Sequence, residues 1–148
     1  ELKNARAMAN VIVTARKDKE IKNSEQLKKV LAKFLPGHKS NKILAQIYQA
    51  IRIEVNQEME VLKEFLEQSL EILKPGGRLS VISYHSLEDR LVKRFMKNGM
   101  FEGEPEKDFF GNFEVPFKTI ERLIIPSDAE IALNNRARSA KLRIAEKI

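Results

Sequence analysis

The chain has 148 residues, of which 43% are apolar, and a formal net charge of +6 at neutral pH. It contains no cysteine, which excludes disulfides and thiolate metal sites and is typical of cytosolic proteins. No apolar run is long enough to span a bilayer, and the two histidines, His38 and His85, are too isolated to indicate a zinc site. We therefore expect a cytoplasmic protein that uses neither a membrane nor a metal.

The positive charge is concentrated at the N-terminal end of the chain. Residues 1–42 hold eleven Lys and Arg against four Asp and Glu, whereas residues 43–148 hold sixteen against seventeen. A polyanion such as RNA is the simplest partner for this basic segment. A solvated lysine-rich surface explains the composition equally well, so charge alone does not decide between the two.

The first half of the chain has the pattern of helices. Apolar residues recur at helical spacing over residues 2–17, and a second helix begins near Ser24. A long amphipathic region then extends from Ser40 to about Lys74, with a predicted bend or break near Asn56. Because the first two helices are too short to bury much surface between them, we expect a small helical subdomain that also uses part of the third.

The stretch after the long helix combines three structural signals. Pro75-Gly76-Gly77 ends the helix, and residues 79–84 form a short apolar run that predicts a buried strand. Ser86 is expected to open the next helix, with Asp89 as its capping-box partner. In α/β sheets ligands bind beyond the carboxyl ends of strands, and here that end carries Tyr84-His85-Ser86.

Helix and strand signals alternate in the remainder of the chain. A helix ends at Gly99, a strand is predicted over residues 117–125, and Ser127 caps a short helix. Apolar and polar residues alternate from Ala140 onwards, which predicts a final half-buried strand. Residues 100–116 form a predicted loop with four aromatic anchors, which are Phe101, Phe109, Phe110 and Phe113. This succession of helices and strands indicates an α/β fold.

Three segments are specific enough to indicate a family. They are residues 49–58 (QAIRIEVNQE), 75–90 (PGGRLSVISYHSLEDR) and 135–143 (NRARSAKLR). In this order they closely resemble the C-terminal half of the MraW-type bacterial methyltransferases, and the resemblance covers nearly the whole chain. It implies an enzyme that transfers a methyl group from S-adenosylmethionine to the exocyclic N4 of a cytidine in 16S rRNA, in the decoding region of the small ribosomal subunit.

The resemblance also implies an architecture. Enzymes of this type have a Rossmann-like methyltransferase sheet with an inserted helical substrate domain. On this basis residues 1–55 are the end of the insertion, and residues 56–148 are the C-terminal part of the sheet domain. The strand at 79–84 would be a late parallel strand of that sheet, and the last two strands would form its antiparallel edge pair.

The chain lacks the family's cofactor motif. Binding of S-adenosylmethionine needs a Gly-rich turn between a strand and a helix, but Gly76-Gly77 precedes a strand. We therefore expect the motif upstream of Glu1, assign no cofactor-binding residue here, and expect this chain alone to bind the cofactor weakly and to be inactive. The alternative is a non-enzymatic rRNA-binding module. If the upstream strands of the sheet domain are absent, one edge of the sheet is left open, which predicts aggregation or pairing with another copy as a homodimer.

The second segment supplies the candidate catalytic residue. His85 follows a strand end, where it would act as a base or contact RNA, or else fix the strand-to-helix turn. Its neighbour Tyr84 would stack on a base or simply pack. Ser86 and Arg90 are assigned to RNA binding by the resemblance, although Ser86 with Asp89 also fits a helix cap.

Residues of the other two segments complete the candidate RNA-binding set. Arg136, Arg138 and Lys141 lie beside an Asn-Asn turn, and arginine suits bidentate contacts to phosphate. A solvated edge with salt bridges is the alternative for these three. Arg52, Glu54 and Asn56 lie at intervals of two residues in a helical region, so the three do not share one face, and we expect a network at the joint between the two domains.

Overall fold

A computed structural model describes residues 2–103, 105, 109–110 and 114–148. The chain divides into two compact units, Glu1–Glu58 and Met59–Ile148, each with its own apolar core. None of the helices in the described residues combines the length and apolar character that a membrane span requires. The assignment of the units to an inserted domain and a sheet domain stays a prediction.

The first unit is helical. Helix α1 spans Ala5–Asp18, α2 spans Ser24–Val30, and α3 spans Ser40–Asn56 after two short 3₁₀ turns. All three helices and the residue that ends α2 contribute to its core. The buried members are Met8, Leu27, Leu31 and Ile47. The third helix thus completes the core that the first two are too short to form between them, as expected.

The long helical region is broken, as predicted, next to Asn56. Helix α3 ends there because Gln57 adopts a left-handed conformation with φ of 52°, which a right-handed helix cannot continue. Helix α4 then begins at Glu58 and ends at Ile72. Leu66 of α4 is fully buried in the second core, so the break separates a helix of one core from a helix of the other.

The second unit contains a three-stranded sheet. Strand β1 spans Arg78–Ser83, β2 spans Phe117–Ile124 and β3 spans Lys141–Lys147. The strand order is β1-β3-β2, and both pairings are antiparallel. The last strand in sequence is therefore central, and the described residues form a mixed helix-and-strand fold around it.

Two helices supply most of the core of this sheet. They are α4 and α5, and α5 spans Ser86–Asn98 and ends at Gly99 in the left-handed conformation that is typical of helix C-termini. Helix α6, Asp128–Leu133, and a 3₁₀ turn, Asn135–Ser139, connect β2 to β3. The buried core side chains come from α4, α5 and all three strands, and they are Leu66, Leu79, Val92, Phe95, Met96, Phe117 and Ala145.

The strand pairing tests part of the expected sheet architecture. The last two strands of the chain pair antiparallel, which confirms that prediction. Strand β1 also pairs antiparallel with β3, and no strand of the described residues pairs with its other edge. Its place as a late parallel strand in a Rossmann-like sheet therefore stays a prediction.

Strand β1 is buried on one face only. Leu79 and Ser83 are buried, whereas Ile82 on the opposite face is 57% exposed. The apolar run predicted a buried strand, but side chains alternate between two faces along a strand. Because α4 and α5 contribute to a single core cluster with Leu79, only one face of β1 is covered within the described residues.

The loop after α5 contains one of the predicted aromatic anchors. The ring of Phe101 stacks on Phe95 with 4.9 Å between centroids, which confirms its role. Phe109 and Phe110 contact each other edge to face. Phe109 is 99% exposed, so the prediction that it anchors the loop is wrong, whereas for Phe110, which is 85% exposed, it stays a prediction. Phe113 lies outside the described residues.

Candidate functional site

The strand register brings the second and third sequence segments to one end of the sheet. Ser83, the last residue of β1, pairs with Lys141, the first residue of β3. The 3₁₀ turn that carries Arg136 and Arg138 leads into Lys141, and Tyr84 follows Ser83 directly. We define the strand-end site by the candidates that this register brings together, which are Tyr84, His85, Ser86, Arg136, Arg138 and Lys141.

His85 caps helix α5. Its backbone is extended, and its Nδ1 accepts a hydrogen bond from the backbone N–H of Glu88 at 3.4 Å. The Glu88 carboxylate in turn accepts from the backbone N–H groups of Tyr84 and His85 at 3.0 and 3.4 Å. This is a reciprocal capping box. The predicted box of Ser86 with Asp89 is wrong by one residue, because Ser86 is already the first helical residue.

The cap limits the chemistry of the imidazole. Because Nδ1 accepts a hydrogen bond, the proton of the neutral ring lies on Nε2. Nε2 is buried and lies 3.2 Å from Oε1 of Glu88, but it makes no well-aligned hydrogen bond within the described part of the chain. A ring in this state has no lone pair left to accept a substrate proton. The geometry favours the structural role of His85, and its catalytic role stays a prediction.

Other members of the strand-end site are open to solvent. Tyr84 is 57% exposed. Arg136 and Arg138 are exposed on the 3₁₀ turn, where the Arg138 guanidinium donates to Oδ1 of Asn135 at 3.3 Å. Arg90 is exposed one helical turn beyond the start of α5. An exposed phenol ring and two guanidinium groups at one sheet end have the chemistry to stack on a base and to bind phosphates.

A buried carboxylate that the sequence interpretation assigned to a cap ties this end of the sheet together. Asp89 accepts hydrogen bonds from Nε and Nη2 of Arg143 at 2.6 and 3.2 Å, and from Nζ of Lys141 at 3.2 Å. The side chains of Asp89 and Arg143 are only 12% and 11% exposed. Arg143 also donates through Nη1 to the backbone carbonyl of Arg122 at 2.6 Å. The network therefore joins α5, β2 and β3.

The cations of this network keep Asp89 ionised. Burial by itself raises the pKa of the Asp89 carboxyl group, but hydrogen bonds from Arg143 and Lys141, with their positive charges, lower it by more. The pKa of Asp89 therefore lies below its ordinary value. An ionised Asp89 in turn compensates the charge of Arg143, which would otherwise be costly to bury.

Strand β3 presents its charged face to the helices. Leu142 and Ile144 alternate with Lys141 and Arg143, which predicts a half-buried strand without deciding which face is covered. In the structure Lys141 and Arg143 share the helix-facing side with Ala145, which is fully buried. The carboxylate on α5 makes this arrangement possible, since it supplies the counter-charge.

Arg52 and Asn56 lie in the first unit, apart in sequence from the strand-end site. The Arg52 guanidinium donates to both carboxylate oxygens of Glu58 at 2.8 and 3.0 Å, and Nδ2 of Asn56 donates to Oε1 at 3.1 Å. These bonds bridge the break between α3 and α4. The predicted network at a joint between two domains stays a prediction. A role of either residue in RNA binding stays a prediction.

The Pro-Gly-Gly turn before β1 does not fit a cofactor cradle. A Cβ atom on Gly77 would lie 2.8 Å from the backbone oxygen of Lys74, so the chain's own backbone occupies the space that this glycine leaves. Gly76 has φ of 81° and donates its N–H to the carbonyl of Lys147 at 2.8 Å. Both glycines are explained by a tight turn that pairs with the end of β3.

Comparison with known proteins decides the family. The model of the MraW methylase family matches residues 1–148, which is the whole chain. This chain belongs to the MraW methylase family. The resemblance carried by the three sequence segments is thereby confirmed.

Relatives of this MraW family chain share one name, "Ribosomal RNA small subunit methyltransferase H". The protein from Flavobacterium johnsoniae is 76% identical over 148 residues, which cover 100% of this chain and 49% of that protein. The one from Flavobacterium psychrophilum is 76% identical over 147 residues, 99% of this chain and 50% of that protein. A third, from Bacteroides thetaiotaomicron, is 53% identical over 99% of this chain. The chain spans about half the length of these curated relatives.

The cap role of His85 can be tested by two substitutions. His85→Ala removes the acceptor and should lower the free energy of unfolding by about 1 kcal/mol. His85→Asn should retain most of the stability, because an asparagine side chain at this position accepts the same N–H group. Urea unfolding of both variants beside the wild type measures the difference. Equal losses for Ala and Asn would contradict the cap.

Stability should depend on the charge of Asp89. Because its pKa is lowered in the folded state, its contribution is complete above the unfolded pKa of about 3.9 and is lost as the pH falls through the lower folded value. The free energy of unfolding should therefore decline in acid, from about pH 4 downwards. Denaturant titrations across a pH series measure this decline.

The matched variants for that series are Asp89→Asn and Asp128→Asn. The first should cost about 3–5 kcal/mol at neutral pH, because Arg143 loses its counter-charge, and should have a shallower decline in acid. Asp128 is exposed at the start of α6, and its replacement should cost at most about 1 kcal/mol. A decline in Asp89→Asn as steep as in the wild type would rule out this role of the carboxylate.

Proposed function

We propose that the protein containing this chain methylates the exocyclic N4 of a cytidine in 16S rRNA of the small ribosomal subunit, with S-adenosylmethionine as the methyl donor. The observation that carries the proposal is the match of the MraW family over residues 1–148. Relatives named as small-subunit rRNA methyltransferases support it. The resemblance of the three sequence segments is the basis for proposing the N4 atom as the methylated position and the decoding region as the location of the cytidine.

The strand-end site suits the RNA side of this reaction. The N4 amine is a poor nucleophile because its lone pair is delocalised into the ring, so the protein must hold the base out of its stack and orient the amine. We assign the stacking contact to Tyr84, whose ring is 57% exposed. Arg136 and Arg138 would bind flanking phosphates, and Lys141 would add to the positive potential while paired to Asp89.

Binding of the methyl donor is assigned to sequence outside this chain. The Gly76-Gly77 turn is filled by its own backbone, which leaves no cradle for the donor there. The relatives are about twice as long as the chain. We propose that the part of the protein corresponding to their unmatched half supplies the cradle, while this chain supplies RNA contacts.

A methyl-transfer assay tests the function directly. The full-length protein is incubated with radiolabelled S-adenosylmethionine and unmethylated small subunits, and digested 16S rRNA is analysed by mass spectrometry. We expect label in N4-methylcytidine. Label in another nucleoside would overturn the proposed position, and RNA binding without any label would favour the non-enzymatic rRNA-binding alternative.

Arginines of the strand-end site should contribute phosphate contacts. In the full-length protein, Arg136→Ala combined with Arg138→Ala should weaken RNA binding by about tenfold and reduce the slope of log affinity against log salt by about 1.4. Fluorescence anisotropy at several salt concentrations measures both quantities.

The matched control removes two positive charges from the opposite end of β1. Lys74 and Arg78 are exposed there, and Arg78 is paired with Glu146 at 3.1 Å. Lys74→Ala combined with Arg78→Ala should leave RNA affinity and its salt slope close to those of the wild type. Equal effects of the two pairs would show that only overall charge matters and would contradict the proposed contacts.

A further inference from the structure

A groove with a basic lining lies between α5 and β2. Its volume is about 610 Å³. Lys93 and Lys97 line it from α5, and Arg122 and Leu123 line it from β2, while the buried Met96 lies beneath them. Neither the strand-end site nor the motif from Pro75 to Arg90 includes these side chains. The groove therefore has no role in the function proposed so far.

The charge of the groove is largely uncompensated. Glu121 is the single carboxylate among its lining residues, against four cations. Arg143 is one of the four, but Asp89 neutralises it. Lys93, Lys97 and Arg122 make no side-chain hydrogen bond or ion pair with any other described residue. Three cations around one concave surface repel each other and create a positive potential that a bound anion relieves.

Several other cations of the same unit have partners. Lys63 pairs with Glu60 at 3.1 Å, and Arg78 pairs with Glu146 at 3.1 Å. The ammonium group of Lys147 donates to two backbone carbonyls at the end of α4. The groove gathers three cations without such partners on two facing walls, and this clustering indicates a site for a polyanion.

The spacing of the cations suits a chain of phosphates. Lys93 and Lys97 are one helical turn apart, which places them about 6 Å from each other along the axis of α5. Arg122 faces them from β2, beside the register shift between Glu121 and Ile124. Cations on both walls can contact successive phosphates of one strand. Leu123, 40% exposed, offers an apolar surface to sugars or bases without any donor or acceptor on its side chain that would select a sequence.

The groove is linked to the strand-end site through strand β3 and helix α5. Arg143 lines the groove and is bound to the same carboxylate as Lys141, the first residue of β3. Lys93 and Lys97 lie about 12 and 18 Å beyond the helix cap, as measured along the axis. An RNA strand held at the strand-end site would reach the groove within a few nucleotides.

We propose that the groove between α5 and β2 binds the phosphate backbone of single-stranded RNA next to the segment held at the strand-end site, without reading its sequence. The proposal rests on the proposed function only in taking RNA as the polyanion. A second copy of the chain seated against β2 is the competing occupant, and the experiment separates the two.

The test compares two double variants of the full-length protein. Lys93→Ala combined with Lys97→Ala removes two exposed charges from the groove, and the Lys74→Ala and Arg78→Ala pair is the charge-matched control. Binding is measured by anisotropy with a labelled single-stranded fragment of 16S rRNA and with polyuridylate of equal length, over a range of salt concentrations. Thermal unfolding verifies that both variants are folded.

We expect the groove variant to bind both RNAs about tenfold more weakly and to reduce the slope of log affinity against log salt by about 1.4. The control variant should have the affinity and the slope of the wild type. Wild-type slopes in the groove variant, or an equal effect in the control, would overturn the proposal. So would a change in oligomeric mass by light scattering with RNA affinity unchanged, which would assign the groove to a second copy.

These readouts separate the inference from the proposed function. If the wild type binds RNA but forms no N4-methylcytidine, the proposed function fails. The salt dependence of RNA affinity in the groove variant then still tests whether the groove binds RNA. If N4-methylcytidine forms but the groove variant keeps the wild-type slope, only the groove proposal fails. A wild type that binds neither RNA would overturn the groove proposal outright.

Discussion

The pairing of Arg143 with Asp89 is the constraint on which the arrangement of the second unit depends. A guanidinium only 11% exposed must be paired, since an uncompensated buried charge costs several kcal/mol. Arg143 meets this requirement with a carboxylate on α5 and a backbone carbonyl on β2. The Arg143 side chain of the central strand β3 thereby holds both helix α5 and the irregular strand β2 in place. The register shift in β2 lies beside that carbonyl, where an extra acceptor is available.

This constraint also determines what the end of the sheet presents to a ligand. Asp89 holds Lys141 at the start of β3, and β3 pairs with the last residue of β1. The turn with Arg136 and Arg138 is therefore placed at the end of the sheet that carries Tyr84. His85 lies at the same end, but its imidazole is used to cap α5 and is mostly buried. The exposed phenol and guanidinium groups, rather than the imidazole, are therefore the groups that this end of the sheet presents to a ligand.

Much of the secondary structure could be predicted from local signals, and the errors have local reasons. The Pro-Gly-Gly turn, the glycine after α5 and the Ser127 cap all appear where the sequence indicated. The cap of α5 was misplaced because serine is a commoner N-cap than histidine, although the backbone already turns helical at Ser86. Phe109 was misjudged because a large apolar ring predicts burial only when other elements are there to cover it, and it is 99% exposed.

Contiguous sequence signals are sufficient to predict the family, the order of helices and strands, the break next to Asn56 and the polar segment after β1. These follow from contiguous residues, whose periodicity, capping and motifs are local properties. The central position of the last strand and the packing of its charged face against the helices follow from long-range contacts and are visible only in the folded chain. Alternation marks two faces of a strand but does not say which one is covered. That choice depends on Asp89, which lies more than fifty residues away in sequence and supplies the charge that lets Arg143 be buried.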